Sequence, residues 1–331
     1  MEERDQSQRT ASVAPLVTVV CLCHNHAPFV KEALRSVWAQ SYAAIELIVV
    51  DDGSRDESVR VIEKELRDEP YAHFLHWKEG IGNCRAFNKA LALSTGNYVI
   101  DLAADDVLLP DRVEKQVAAF EALDPNWGIV FSDAVLIDER SRVTGYQYAR
   151  DKQGNLKKPV PQGDVYQALL GPFFLLSPTV MYRRDILEEL GGYDETLHYE
   201  DFDILIRTAR RYLFYYLDEP TTMKRRVKHS LSSRFYHRRR NDLLESTLRI
   251  CEKVYAMNHT PDEHAALAYT VRYHLRQAFY TENFALVEGY FALLERTGHV
   301  DPLSRRLRQL ARWRLPVWPL YRQYLRLRKQ L

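Results

Sequence analysis

The sequence predicts an α/β fold in which a parallel sheet is covered by helices and is followed by a helical C-terminal region. Short, continuous apolar runs alternate with segments whose apolar residues recur at helical spacing. Runs that are apolar on both faces are typical of parallel strands covered on both sides. From Leu231 onward the pattern is helical with almost no strand signal. We therefore expect a flexible polar tail over residues 1–15, an α/β domain over 16–235 and a helical region over 236–331.

A strand–loop–helix unit repeats along the first hundred residues. We predict strands at 17–23, 45–50, 74–77 and 98–102, with helices that begin near residues 29, 59 and 82. Pro110 is expected to open a further helix, and short strands are predicted at 129–131, 134–137, 143–148 and 178–182. The remaining predicted helices are 185–190, 201–211 and segments near 231–257, 261–280, 282–297, 302–314 and 319–329.

The composition is that of a globular protein. The chain has 331 residues, of which 46% are hydrophobic and 27% charged, and this excludes a collagen, a coiled coil and a wholly disordered chain. No apolar run is long enough to span a membrane. The cysteines lack the paired spacing of zinc sites and no secretory signal precedes them, which favours a reduced, cytoplasmic setting. They are Cys21, Cys23, Cys84 and Cys251.

Carboxylates follow two of the predicted strands, as Asp51-Asp52 and as Asp105-Asp106. Parallel sheets bind ligands at the carboxyl ends of their strands, so these side chains are expected at one edge. Adjacent carboxylates can hold Mg²⁺ or Mn²⁺ and leave positions for substrate phosphates. The alternative is that strand-end aspartates cap the following helices, and it stays open for Asp51 and Asp106. For Asp52 and Asp105 we favour a functional role.

Two further motifs open predicted helices. Glu200, Asp201 and Asp203 form an acidic group whose alternative explanation is an acid-rich first turn favoured by the helix dipole. The segment Gly80-Ile-Gly-Asn-Cys-Arg85 resembles a dinucleotide fingerprint, but it has Arg85 where the third glycine is needed and follows the third strand instead of the first. We therefore do not favour a dehydrogenase.

Four segments together resemble the family 2 glycosyltransferases of the GT-A fold, in the family's order and at its spacing. They are Val17-Thr-Val-Val-Cys-Leu-Cys-His-Asn25, Glu46-Leu-Ile-Val-Val-Asp-Asp-Gly-Ser54, Gly96-Asn-Tyr-Val-Ile with Ala104-Asp105-Asp106, and Tyr199-Glu-Asp-Phe-Asp-Ile-Leu-Ile-Arg207. The resemblance covers roughly residues 15 to 235 and implies nothing beyond about residue 240. It implies the GT-A nucleotide-diphospho-sugar transferase fold, with a Rossmann-like sheet that is mixed and mostly parallel.

The resemblance also implies roles for individual residues. Those expected to line or bind the nucleotide donor are Cys23, His24, Asn25, Asp52, Asn88 and Asp105. Asp105 would hold Mg²⁺ or Mn²⁺, and His229 would be a metal ligand or a phosphate contact, unless it is a structural histidine. Asp201 would be the catalytic base, with Glu200 as the alternative. The first acid of the family's metal motif is Ala103 here, which puts donor identity and affinity in question.

By this resemblance the chain is an inverting glycosyltransferase that uses a nucleotide-sugar donor, expected to be UDP-linked, and a glycan or lipid-linked glycan acceptor. Surface polysaccharide synthesis at the inner face of the cell membrane would fit. Glu200 and Asp203 are expected to raise the pKa of Asp201 toward a useful value for a base. The alternative is a non-catalytic module of the same fold that binds nucleotide sugars or membranes.

The basic charge is concentrated at the C-terminal end. Residues 301–331 carry nine arginines and lysines and one acid, interleaved with Trp and Tyr. Three interpretations are open for 302–331: contact with an anionic membrane surface, packing within the chain or in a homo-oligomer, and nucleic acid binding. We favour the first over the second and expect no nucleic acid partner.

Overall fold

The computed structural model describes residues 14–227 and 230–327. In these residues nine strands form one sheet. The strands are β1 (Val17–Cys23), β2 (Ile45–Asp52), β3 (His73–Trp77), β4 (Tyr98–Ala103), β5 (Val107–Leu108), β6 (Trp127–Ile137), β7 (Val143–Tyr146), β8 (Met181–Arg183) and β9 (Leu213–Arg225).

The sheet is mixed, as predicted. Its strand order is β3-β2-β1-β4-β8-β6-β9-β5, and β7 pairs with β6. The pairs β3-β2, β2-β1 and β1-β4 are parallel, and so is β6-β9, whereas β8 pairs antiparallel with both of its neighbours. The repeating units predicted for the first hundred residues therefore form a continuous parallel half of the sheet.

Twelve α-helices accompany the sheet in the described residues. They are α1 (Val30–Trp38), α2 (Ser58–Glu65), α3 (Asn83–Leu91), α4 (Arg112–Glu121), α5 (Tyr166–Leu169), α6 (Arg184–Glu189), α7 (Asp201–Ala209), α8 (Asp242–Met257), α9 (Pro261–Tyr280), α10 (Phe284–Thr297), α11 (Pro302–Arg312) and α12 (Trp318–Leu327).

Each central strand buries both of its faces, because successive side chains point to opposite sides of the sheet. Val19 lies in one apolar cluster with Leu34 of α1 and Val113 of α4. Val20, the next residue, lies in the other cluster with Phe87 of α3. This two-sided burial explains why β1, β2 and β4 consist mainly of apolar residues.

Among the strands, β6 and β9 differ most from the sequence-based prediction. The strands predicted at 129–131 and 134–137 are one strand, β6, whose polar Ser132 and Asp133 are fully buried. Ser132 is hydrogen-bonded to Thr221, and Asp133 is paired with Arg150, so both polar groups are satisfied. The long strand β9 was not predicted, since Pro220 and its acidic neighbours interrupt the apolar pattern where the register with β6 shifts.

The C-terminal helices pack on the same face of the sheet as α3 and α7. Leu244 of α8, Leu275 of α9 and Tyr290 of α10 belong to the cluster that contains Val20. The capping box of Thr260 and Glu263 begins α9, and Glu263 is also paired with Arg210. A continuous core thus joins the sheet to the helices that follow it.

Two observations bear on the setting of the chain. All four cysteines are free and buried. No helix in the described ranges is both long and apolar enough to cross a lipid bilayer.

Candidate active site

The site lies at the edge where the parallel strands end. Cys23 of β1 is opposite Asp51 of β2, and Leu22 is opposite Ala103 of β4. The loops that follow these three strands therefore share one edge, and they carry the residues predicted to bind the donor.

Asp52 connects the loop after β2 to the loop after β3. Its Oδ1 accepts a hydrogen bond from the amide of Ile81 at 2.6 Å and its Oδ2 one from Gly82 at 3.1 Å. Gly53 has a φ of 72°, and a Cβ there would lie 2.3 Å from the Gly80 nitrogen. The two loops are in backbone contact, so only glycine fits at position 53. The half-buried carboxylate of Asp52 thus shapes this wall of the site.

The segment after β1 is joined to the segment after β2. His24 Nδ1 is 2.7 Å from the Asp52 carbonyl oxygen, and Asn25 Oδ1 accepts a hydrogen bond from the Arg55 amide. Asn25 has a φ of 58°, a left-handed conformation that asparagine tolerates. His24 and Asn25 are exposed, whereas Cys23 is only 1% exposed and burial raises the pKa of its thiol to about 12. The predicted residues are therefore adjacent, with Cys23 beneath the surface.

Asp105 and Asp106 lie in the turn between β4 and β5 and differ in their partners. Among the described residues, no hydrogen bond or ion pair reaches the Asp105 carboxylate. Asp106 is fully buried, and its Oδ1 accepts a hydrogen bond from the Arg225 amide at 2.8 Å. Burial raises the pKa of Asp106 to about 6, while Lys224 lowers it and Asp105 raises it. Asp106 therefore holds this turn against β9 instead of capping a helix, and Asp105 is left available to a ligand.

Sequence reasoning missed two residues beside Asp105. Lys224 of β9 has its Nζ 3.3 Å from Asp106 Oδ2, and the carboxylates of Asp106 and Asp105 raise the pKa of Lys224 although burial alone would lower it. His26 has a buried Nδ1 with no hydrogen-bond partner among the described residues, and burial lowers the pKa of its imidazole while Asp105 opposes that shift. Pairing of β5 with β9 brings Lys224 to the site. The sequence predicted neither of these two strands, so it could not indicate that pairing.

Glu200 and Asp201 lie at the start of α7, near the end of β4. Asp201 Oδ2 accepts a hydrogen bond from Ser177 Oγ at 2.8 Å, and Glu200 accepts one from the side-chain amide of Asn83. Burial raises the pKa of Glu200 well above its usual range, and the adjacent Asp201 adds to this shift. Burial and the adjacent Asp201 thus favour the neutral form of Glu200, which can donate a hydrogen bond to the Asp201 carboxylate.

Asp203, the last acid of this group, was expected to act on Asp201 together with Glu200. Asp203 points to other partners: its Oδ2 is 2.7 Å from Arg207 Nε and its Oδ1 is 2.7 Å from Lys253 Nζ. These cations compensate the charge of Asp203, which is 2% exposed.

A third acid, Asp101 of β4, faces the same group and was not singled out from the sequence. Tyr193 donates a hydrogen bond from its hydroxyl to Asp101 Oδ2 at 2.9 Å. Burial raises the pKa of Asp101 to about 7, and Asp201 contributes to the shift. Asp101 precedes Ala103 by two residues, so both lie on the same face of β4.

Asn88 of α3 is bound to the segment that leads to α7. Its Oδ1 accepts a hydrogen bond from the Tyr193 amide and its Nδ2 donates one to the Tyr193 carbonyl, each at 2.8 Å. The neighbouring Phe87 stacks on the Tyr193 ring with centroids 4.0 Å apart. Both polar atoms of the Asn88 side chain are thus engaged by protein backbone.

The residues at this edge fit a divalent cation completed by substrate. The described ranges contain no group of three or more side chains arranged to hold a metal ion. Asp105 nevertheless offers a carboxylate that no described residue binds, and Mg²⁺ is commonly held by one or two carboxylates together with substrate phosphates. His229, the other predicted metal ligand, lies outside the described residues.

The fold defines the class of protein. TarS of S. aureus, solved as residues 1–349 with UDP-GlcNAc, superposes with a TM-score of 0.66 over 93% of this chain and 92% of that chain, at 17% identity. The mannosyltransferase PcManGT from Pyrobaculum calidifontis, solved with GDP-Man and Mn²⁺, gives a TM-score of 0.56 over 96% of this chain and 85% of its own, at 18% identity. The architecture is the GT-A fold of glycosyltransferases, with helices added at the C-terminus.

The family follows from the sequence match. The model of "Glycosyl transferase family 2" matches residues 18–191, which is more than half of the chain, and the chain belongs to this family. An uncharacterized glycosyltransferase of Rickettsia typhi is 29% identical over 65% of this chain and 64% of its own length. One of Methanocaldococcus jannaschii is 28% identical over 62% of this chain and 69% of its own.

Proposed function

We propose that this family 2 glycosyltransferase moves a sugar from a nucleoside diphosphate donor, expected to be UDP-linked, to a hydroxyl of a glycan or lipid-linked glycan, with inversion at the anomeric carbon. One observation carries the proposal: at one edge of the sheet, Asp105 has a carboxylate that no described residue binds, and Glu200 and Asp201 form an adjacent pair of carboxyl groups. The first suits the donor's diphosphate and the second suits the acceptor.

On the donor side, Asp105 would hold Mg²⁺ or Mn²⁺, which neutralises charge on the diphosphate as the sugar bond breaks. The loop of Cys23, His24 and Asn25 and the wall formed by Asp52 would enclose the nucleotide. Solved structures of the same fold contain UDP, UDP-GlcNAc and GDP-Man, which supports a nucleotide-sugar donor.

On the acceptor side, Asp201 would act as the base. The acceptor oxygen forms a bond to the anomeric carbon while the bond from that carbon to the phosphate oxygen breaks, and the nucleoside diphosphate leaves with the bonding electrons. The acceptor proton passes to Asp201. Glu200 is suited to a different role, because burial raises its pKa and so favours its neutral form, and a neutral acid can donate a hydrogen bond that orients Asp201.

The test is donor hydrolysis or transfer together with nucleotide binding in three variants. Asp201→Asn should abolish turnover and retain UDP binding, whereas Asp105→Asn should lower both turnover and metal-dependent UDP binding. Asp68→Asn, at an exposed position, is the matched control and should behave as wild type. Wild-type turnover in Asp105→Asn and Asp201→Asn would overturn the site. Nucleotide binding without turnover in wild type, across UDP, GDP and dTDP sugars, would favour the non-catalytic module.

We also propose that α11 and α12 contact an anionic membrane surface. The described part of this segment, 302–327, contains seven arginines and no acid. Five of them have no carboxylate partner among the described residues, namely Arg305, Arg306, Arg314, Arg322 and Arg326. Large apolar side chains are exposed beside them, including Trp313 at 65%, Leu320 at 74% and Leu327 at 80%.

The pattern on α12 supports a surface-bound helix. Tyr321 and Leu325 face the protein, where the Tyr321 hydroxyl donates a hydrogen bond to Gln277. Leu320, Tyr324 and Leu327 recur at helical spacing and share another, exposed face. Arginine with interfacial aromatic residues suits an anionic bilayer. Contact with a lipid-linked acceptor at the inner face of the membrane, in polysaccharide synthesis, would follow. Homo-oligomer formation through this face is the alternative.

A further inference from the structure

We propose that Lys224 supplies a fixed positive charge to the donor's diphosphate, so that the nucleotide binds appreciably without a divalent cation. This inference rests on the proposed function and assigns a binding role to a residue outside the matched family segment, which ends at residue 191.

The contacts of Lys224 leave part of its ammonium group available. Its Nζ is 3.4 Å from Asp106 Oδ1 and 3.3 Å from Asp106 Oδ2, both long for a charged hydrogen bond. An ammonium group has three donors, and among the described residues Asp106 is their one hydrogen-bond partner. The side chain is 28% exposed, so an anion can approach it. Lys224 can therefore donate to a phosphate oxygen while it keeps its contact with Asp106.

The backbone fixes where this charge lies. Antiparallel pairing sets Val107 of β5 opposite Met223 of β9, which brings Lys224 alongside Asp106. The amide of Arg225 donates to Asp106 at 2.8 Å, and Arg225 Nε donates to the Asp105 carbonyl oxygen at 2.8 Å. Arg225, the residue after the lysine, is thus hydrogen-bonded to both Asp105 and Asp106, and the ammonium of Lys224 lies near Asp105.

The charges of the turn favour an anionic ligand over a tightly held dication. Position 103 carries Ala, so β4 ends without an acid there, and Asp106 is already opposed by Lys224. Asp105 remains as the carboxylate for a metal ion. Compared with a turn that has an acid at position 103 and no lysine beside Asp106, this turn holds a divalent ion less strongly and attracts a diphosphate more strongly.

The test is UDP affinity by calorimetry in Mg²⁺ and in chelator, on the full chain. Wild type should keep measurable affinity in chelator, and Lys224→Met should lose a further factor of about ten or more there, as expected for one charged hydrogen bond. The loss in Mg²⁺ should be smaller. Lys224→Arg should retain most of the affinity in chelator. Lys64→Met removes the same charge at an exposed position of α2 and should match wild type in both buffers.

The outcomes separate the two proposals. If wild type binds UDP in Mg²⁺ and loses all affinity in chelator, or if Lys224→Met binds like wild type in chelator, the role of Lys224 is overturned and the proposed function stands. If wild type binds no nucleotide in either buffer, the proposed function is overturned as well. Should Lys224→Met not fold, the wild-type chelator measurement and the Lys224→Gln variant still decide the question.

Discussion

Lys253 of α8 and Asp203 of α7 form an ion pair, with Nζ 2.7 Å from Oδ1. Lys253 also pairs with Asp194, which lies in the segment between Asn88 and α7. A residue of the C-terminal helices thus compensates two acids next to Glu200 and Asp201. Since Asp203 is buried, this pair stabilises the conformation of the helix that carries the proposed base.

Replacing Lys253 with Met should therefore lower both stability and turnover. We expect the free energy of unfolding to fall by about 2 kcal/mol, because buried Asp203 loses a charged hydrogen bond and keeps Arg207 as its partner. Urea unfolding measures this loss. Arg249→Met, which removes an exposed pair with Glu245 on the same helix, is the control and should cost less than about 0.5 kcal/mol. Equal losses in the two variants would contradict the prediction.

The pKa of Asp101 predicts a pH dependence of stability. Its pKa is raised from 3.8 to about 7 in the folded protein, so the folded state holds a proton that the unfolded state has released between these values. The contribution to stability is complete below pH 4 and is lost as the pH rises through about 7. Asp101→Asn, which keeps an acceptor for the Tyr193 hydroxyl, should remove this loss.

Urea unfolding of wild type and Asp101→Asn at pH 5 and pH 8 measures the effect. From pH 5 to pH 8, the free energy of unfolding of wild type should fall by roughly 2 to 4 kcal/mol more than that of the variant. A difference between the two proteins that does not change with pH would show that Asp101 is ionised in the folded state across this range.

Asn88→Ala separates a positioning role from direct donor binding. The variant loses both hydrogen bonds to the Tyr193 backbone, which should cost about 2 kcal/mol and loosen the segment before Glu200. We expect kcat to fall while KM for the donor changes little. Asn155→Ala, in an exposed loop, serves as the control. A KM for the donor that rises with kcat unchanged would instead indicate direct contact between Asn88 and the nucleotide.

Sedimentation with vesicles tests the proposed membrane contact. Wild type should bind vesicles that contain phosphatidylglycerol more strongly than neutral phosphatidylcholine vesicles, and high salt should weaken that binding. The triple variant Trp313→Ser, Leu320→Ser and Tyr324→Ser should bind the anionic vesicles at least about tenfold less strongly, since each exposed apolar side chain contributes to insertion. Ser at Tyr71, which is 91% exposed on the α/β domain, is the control. Unchanged binding together with a loss of dimers would favour an oligomer interface.

Much of the parallel half of the sheet is predictable from the sequence, because strands buried on both faces consist mainly of apolar residues. The structure confirms β1 with its predicted bounds and extends the second strand to Asp52. The strand β9 escapes prediction, because its polar centre at Pro220 reads as a loop until β6 lies beside it.

The residues of the candidate site also fall into two groups, those that the sequence indicates and those that it does not. Asp105 and Asp201 are recognisable because they stand in short motifs next to a strand end and a helix start. Lys224, His26 and Asp101 are not, since their meaning depends on which element packs beside them. Lys224 stands in a segment for which no strand was predicted, and its position at the site depends on the pairing of β9 with β5. Asp101 lies within an otherwise apolar run, and its importance depends on the contact with Tyr193 and the nearby charge of Asp201, which the sequence does not show.

The four buried cysteines have a practical consequence for spectroscopy. Burial raises the pKa of each thiol, so thiol reagents that attack the thiolate should modify the folded protein slowly. A single cysteine introduced at an exposed position, such as Gln153, can then carry a fluorophore or spin label without removal of the native ones. Loop movements around a bound nucleotide become measurable in an otherwise unaltered chain.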